Sequence, residues 1–168
     1  KFMPLKTVFS TMENIQKGNI NIIGKDEKKN YLFSNIYEVA RDSLEYERVV
    51  IAKNLEYTIE VSKAVGNSPW YICAHDETVV CMEGATQINF IKPSDGSVIP
   101  AEEKNGVVKL DRKPEGIKMG IVKIKFGHQA LLPAGAAYQF NASEISVLMI
   151  QSVIGDESIE RWADICEV

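Results

Sequence analysis

GNSPWYICAHDETVVCMEGATQINF, residues Gly66 to Phe90, decides the reading of this chain. Gly66-Asn67-Ser68-Pro69 breaks the run before it, because Gly and Pro punctuate regular structure. Strands are predicted at Trp70–Ala74 and Thr78–Glu83, with Gly84 as the turn into Ala85–Lys92. Pro93-Ser94-Asp95-Gly96 then closes the unit as a strong turn. A second stretch, FGHQALLPAGAAYQFN from Phe126 to Asn141, repeats the habit of short apolar runs set between Gly and Pro turns.

Working outward, strands dominate. Arg48–Asn54 reads RVVIAKN. In Glu56–Val65, Tyr57, Ile59 and Val61 alternate with Thr58, Glu60 and Ser62, the period of a strand. Further strands are predicted at Val107–Leu110, Lys118–Phe126, Ala130–Leu132, Ala137–Phe140 and Ile145–Ile154. Tyr31–Asp42 allows a short helix capped by Ser34 or Asn35. Asp156–Cys166 reads as a C-terminal helix, with acidic residues in its first turn and Ile159, Trp162 and Ile165 on one stripe. Many short strands with Gly/Pro turns and few helices imply an all-β sandwich or barrel. Residues 1–30 carry weak signals and are expected to form an N-terminal arm. Residues 31–168 form the domain, with a polar, Pro- and Gly-rich insertion at about 94–117 that is expected to be mobile.

The 168 residues amount to about one domain and carry a formal net charge of −4. A mildly acidic chain lacks the basic face that nucleic acid or an anionic membrane requires. No apolar run reaches the ~20 residues of a membrane helix. The cysteines Cys73, Cys81 and Cys166 are odd in number and form no Cys-x-x-Cys pair. Reduced, buried thiols in a cytoplasmic protein are therefore expected.

The two stretches together resemble the motifs of the cupin superfamily, whose fold is a double-stranded β-helix, a jelly-roll-like barrel. Its first motif runs His-x-His, then a Glu, then a closing Gly; its second runs Gly, Pro-x-Gly, then a His. Here the Glu falls on Glu77 and the closing Gly on Gly84, while the paired His positions fall near Trp70 to Cys73, where no His stands. Gly127, Pro133 and Gly135 keep the second motif's turns, but Tyr138 occupies its His position. Of the family's ligands, Glu77 alone is in place. A mononuclear iron site takes about three protein ligands, commonly two His and a carboxylate. His75, Glu77 and His128 are the one alternative ligand set, since His75 and Glu77 share a face if both lie on a strand. The other reading has His75 and Glu77 hydrogen-bonded to each other, or to a partner chain, at the barrel rim. Trp70 and Tyr71 either close the core or line a pocket shared with another chain. Tyr138 invites the same two readings, and its hydroxyl is placed to fill the lost imidazole's space and bond Glu77.

Several segments are similar to the small subunit of two-component hydroquinone 1,2-dioxygenases: YLFSNIYEVA (Tyr31–Ala40), ERVVIAKNLEYTIEV (Glu47–Val61), SPWYICAHDETVVCMEG (Ser68–Gly84), GHQALLPAGAAYQF (Gly127–Phe140) and ERWADIC (Glu160–Cys166). The resemblance implies a cupin that has lost its metal and partners a larger Fe(II)-binding cupin subunit in a heterodimer or heterotetramer. That complex would cleave hydroquinone with O₂, extradiol-fashion, to 4-hydroxymuconic semialdehyde. No catalytic residue is then expected in this chain. Trp70, Tyr71, His75, Glu77 and Tyr138 are the candidates for a substrate-entrance wall or interface, with Trp70 foremost and Tyr71 and His75 behind it. Two other readings remain open: a stand-alone homodimeric metal-dependent cupin, either dioxygenase or lyase, and a metal-free cupin binding module.

Overall fold

The computed structural model describes residues 11–14 and 35–161. Among them run one α-helix, α1 (Ile36–Arg41), and the strands β1 (Arg48–Asn54), β2 (Tyr57–Asn67), β3 (Trp70–Cys73), β4 (Glu77–Glu83), β5 (Ala85–Pro93), β6 (Val107–Leu110), β7 (Gly116–Lys125), β8 (Gln129–Leu132), β9 (Ala137–Val153) and β10 (Ser158–Ile159). They pair as a single curled sheet. The 17-residue β9 is its spine: it runs beside β2 and β3 along one side and β4 and β5 along the other. The expected break between Phe140 and Ile145 is absent. Asn141 and Ala142 stay in register with Asn67 and Gly66, and an irregularity between Ala64 and Gly66 absorbs the bend.

The turn residues of the two quoted stretches dock on one another. Gly135 N–H donates to the Cys73 carbonyl at 2.9 Å, Gly127 N–H to the Cys81 carbonyl at 2.8 Å, and Phe126 N–H to the Gly84 carbonyl at 3.1 Å. Gly84, at φ +74°, lies so close to β9 that a Cβ there would sit 2.6 Å from the Ile145 carbonyl oxygen. A side chain is therefore excluded by contact as well as by backbone conformation.

Alternation sorts the core into an interior and an outer layer. Tyr71, Cys73, Val79, Ile88, Phe90, Tyr138, Phe140, Leu148 and Ile150 fill the interior. On the outer face Val49, Ile51, Val61 and Val147 are covered by Val39 and Ala40 of α1, whose N-cap is Asn35. The period of β2 is as expected, but its polar set is the buried one. Thr58, Glu60 and Ser62 are at most 3% exposed, while Tyr57 and Ile59 face solvent.

The C-terminal helix is not formed in the described residues. Asp156 and Glu157 lie in a turn, and Ser158–Ile159 pair in parallel with Arg48–Val49. The Ser158 hydroxyl donates to Glu60 Oε1 at 2.6 Å. Strand pairing plus a buried carboxylate partner here outweighs the acidic first turn that favoured a helix. Trp162, Ile165 and Cys166 lie outside the described residues, as does most of the expected N-terminal arm. Of the arm, Met12 packs on the α1 layer, and its backbone N–H donates to Glu83 at 2.9 Å. Within the 94–117 segment a 3-10 turn at Gly96–Val98 precedes β6, which pairs with β3.

Candidate functional site

Arg48 is the centre of the barrel interior. The β1–β2 register sets Val50 opposite Glu60, so alternation turns Arg48 and Glu60 inward. β4 brings Glu77, and the pairing of Tyr71 with Tyr138 brings the phenol. Arg48 Nη2 donates to Glu77 Oε1 at 2.5 Å, and Nε donates to Glu60 Oε2 at 2.5 Å. Nη1 reaches the Tyr138 hydroxyl oxygen at 3.3 Å, while that hydroxyl donates to Glu77 Oε2 at 2.5 Å. Thr58 donates to Glu60 Oε1 at 3.2 Å. None of these four side chains reaches solvent: Arg48 is 4% exposed, Tyr138 and Glu77 1%, and Glu60 0%.

The electrostatics follow from that burial. Desolvation alone would raise the Glu77 carboxyl, but the adjacent guanidinium and its hydrogen bond outweigh it and hold the group at about 2. Desolvation would likewise lower Arg48, but Glu77 and Glu60 keep it well above its ordinary value. Burial and the neighbouring Glu77 push the Tyr138 phenol well up, so it stays a donor. Tyr71 is pushed to about 12, chiefly by burial. Cys73 and Cys81 are buried free thiols, and burial raises both.

These residues do not fit a metal ion. The retained Glu77 has both oxygens engaged, by Arg48 and by Tyr138. His75 lies in a bend between β3 and β4 rather than on a strand, so it does not share a strand face with Glu77. Its Nδ1 meets the Asp76 carbonyl at 3.0 Å, and its Nε2 is buried without a partner. His75 therefore makes no hydrogen bond to Glu77, because the bend turns its ring to its own backbone. His128 is an exposed residue of the β7–β8 turn, held there through its carbonyl, which accepts from Cys81 N–H. Among the described residues no cluster of three His, Cys, Asp or Glu side chains forms. The cation in this interior is Arg48. Its place was not visible in the sequence, where it reads as an ordinary first residue of a strand. An Arg at the start of a hairpin's first strand carries no signal until the β1–β2 register brings Glu60 beside it.

The five candidates divide by face. Tyr71, Glu77 and Tyr138 point into the interior, with Tyr71 and Tyr138 ring centroids 5.7 Å apart. Trp70 points the other way. It packs on Ile72, Ile91 and Ala137 of the outer layer, so Tyr71 does not stand behind it on one wall. Its ring edges an open cleft of about 800 Å³, lined also by Asn89, Gln139, Lys113, Glu115 and Lys118.

With that geometry established, comparison with solved structures places the chain. Hydroquinone 1,2-dioxygenase from Sphingomonas sp. TTNP3, solved with 4-hydroxybenzoate bound, contains a chain 37% identical, with 98% of each chain covered and a TM-score of 0.85. A chain of hydroquinone 1,2-dioxygenase PnpCD, solved with Cd2+ and 4-hydroxybenzonitrile, is 39% identical over 100% of both chains, with a TM-score of 0.82. The chain belongs to the hydroquinone 1,2-dioxygenase family. A different PnpCD chain, from a complex with Fe3+, shares only the fold: 11% identity, TM-score 0.56, with 86% of this chain matched to 40% of that one. A cupin-2 domain protein from Shewanella frigidimarina also shares the fold, at 19% identity over 70% of this chain and 89% of that one, with a TM-score of 0.50. The architecture is thus the cupin double-stranded β-helix. No protein-family model and no curated protein matches the sequence. No helix among the described residues is long and apolar enough to cross a membrane.

Proposed function

We propose that this chain is the small, metal-free subunit of a two-component hydroquinone 1,2-dioxygenase, and that the iron is held by a larger cupin partner. The observation that carries the reading is Arg48. A guanidinium bonded to Glu77, Glu60 and Tyr138 supplies, from within the chain, the positive charge that a cupin otherwise takes from a metal ion. Such a centre holds no exchangeable position for substrate or O₂. PnpCD supports the division of labour, since one of its chains matches this one end to end and another matches over less than half its own length.

In this reading the chain's part in ring cleavage is structural and steric. Trp70 would wall a substrate entrance shared with a second chain, a role supported by its position on the outer face beside the open cleft. An indole presents a large rigid apolar surface with one N–H donor, suited to a small phenol. Tyr71, Glu77 and Tyr138 act on the other side of the sheet, holding the barrel that presents it. The complex would convert hydroquinone with O₂ to 4-hydroxymuconic semialdehyde. The test is to purify the chain alone, the larger cupin alone and the two together, and to assay hydroquinone consumption with added Fe(II). Activity only in the combined sample is the expected result. Full activity of this chain by itself would overturn the proposal.

A further inference from the structure

The strand β7 pairs with β5 along one side only; among the described residues its other side carries no strand. An uncovered edge is a template for pairing with another chain, and lysines along it deter a partner of like charge. This edge is apolar where it is open: Ile117 is 73% exposed, Met119 52%, Ile121 44%, and Phe126 just beyond it 68%. Beyond Glu115, which borders the start of the strand, the charge along it is of one sign. Lys118, Lys123 and Lys125 are exposed, and none makes an ion pair among the described residues. No Asp or Glu occurs between Glu115 and Glu144, although the chain as a whole carries −4. On β5 the residues opposite Lys123 and Ile121 are Gln87 and Asn89, whose side chains hydrogen-bond each other at 2.9 Å and add no charge. The surface also runs into the Trp70 cleft, which Asn89, Gly116 and Lys118 line.

We infer that the open β7 edge, with its three lysines, is the surface on which the larger partner subunit docks an acidic strand or extended segment. This rests on the two-subunit reading above. Charge selects the occupant. A second copy would bring the same three lysines against this edge with Glu115 alone to offset them, and like charges across strands are destabilising. A segment carrying Asp or Glu beside apolar residues satisfies the lysines, the hydrocarbon and the unpaired backbone together.

Two measurements on the purified chain and the purified larger subunit test this. In the first, affinity is compared between the wild-type chain and K118E/K123E/K125E, whose changes are all on exposed side chains. The expected result is at least roughly tenfold weaker binding by the charge-reversed chain, and a wild-type affinity that falls with added salt. In the second, hydrogen exchange of the wild-type chain is followed as the partner is added, with slowing expected across residues 116–125. This arm decides the matter by itself if the triple variant does not fold. Unchanged affinity of a folded variant, or protection confined to other strands, overturns the inference and leaves the two-subunit reading standing. Self-association of the wild-type chain through β7 also overturns it. Absence of any complex with the wild-type chain overturns both.

Discussion

Arg48 Nη2 and Glu77 Oε1 lie 2.5 Å apart inside the barrel, a salt bridge whose side chains are 4% and 0% exposed. Such a pair is weak grounds for claiming stability, because desolvating both ions offsets their attraction. Its disruption is another matter, since removing one partner strands the other charge. Arg48→Met should therefore cost about 3–5 kcal/mol. Adding Glu60→Gln and Glu77→Gln to it should recover a large part of that loss. Urea unfolding of the single and combined variants gives the coupling directly.

The same pair sets an acid limit. Because the Glu77 carboxyl is held at about 2, below its ordinary value, its stabilising contribution is complete above the ordinary carboxylate range. It is lost as pH falls from there toward 2. The contribution is on the order of 3 kcal/mol. Wild type should lose stability between about pH 5 and about pH 2.5 by more than Glu77→Gln does over the same interval. Parallel slopes in urea midpoint against pH would contradict the assignment.

Trp70→Ala bears on the outer face. In the complex it should raise KM for phenolic substrates roughly fivefold, the scale of one lost aromatic contact, and leave iron content unchanged. Steady-state kinetics with phenols of several sizes, paired with iron analysis, checks it. Identical KM values across the series would remove Trp70 from the entrance.

Gly84→Ala should be markedly more damaging than Gly127→Ala. Both positions have positive φ, +74° and +81°, but only at Gly84 does a Cβ meet backbone, at 2.6 Å. Gly127 faces open space. The expected costs are about 1–2 kcal/mol at Gly127, from conformation alone, and at least about 3 kcal/mol at Gly84. Thermal melts rank them.

The turns were legible because their chemistry is local. Gly84, Gly127 and Gly135 each adopt positive φ, a state that glycine takes far more readily than other residues, although Tyr46 and Leu55 adopt it here as well. Most strand limits followed from the same punctuation, and β1 and β6 have the expected bounds, Arg48–Asn54 and Val107–Leu110. The Tyr138–Glu77 bond was foreseeable from the motif, since a phenol stands at an imidazole's position. What could not be read was anything set by long-range register. Arg48 reaches Glu77 across 29 residues and Tyr138 across 90. The tail strand exists because Ser158 finds Glu60 from 98 residues away. Period-two alternation likewise says that one face of β2 differs from the other, but not that the polar face is inside. Glu60 is buried because Arg48 is there to meet it, and no pattern within β2 contains that fact.

If Arg48 stands in the cation's place in this barrel, the chain by itself binds no iron. Metal analysis of the purified chain after Fe(II) loading, alone and in complex with the larger subunit, should find no stoichiometric iron in the isolated chain, and iron in the complex at the level found in the partner. Stoichiometric iron bound by the isolated wild-type chain would contradict it.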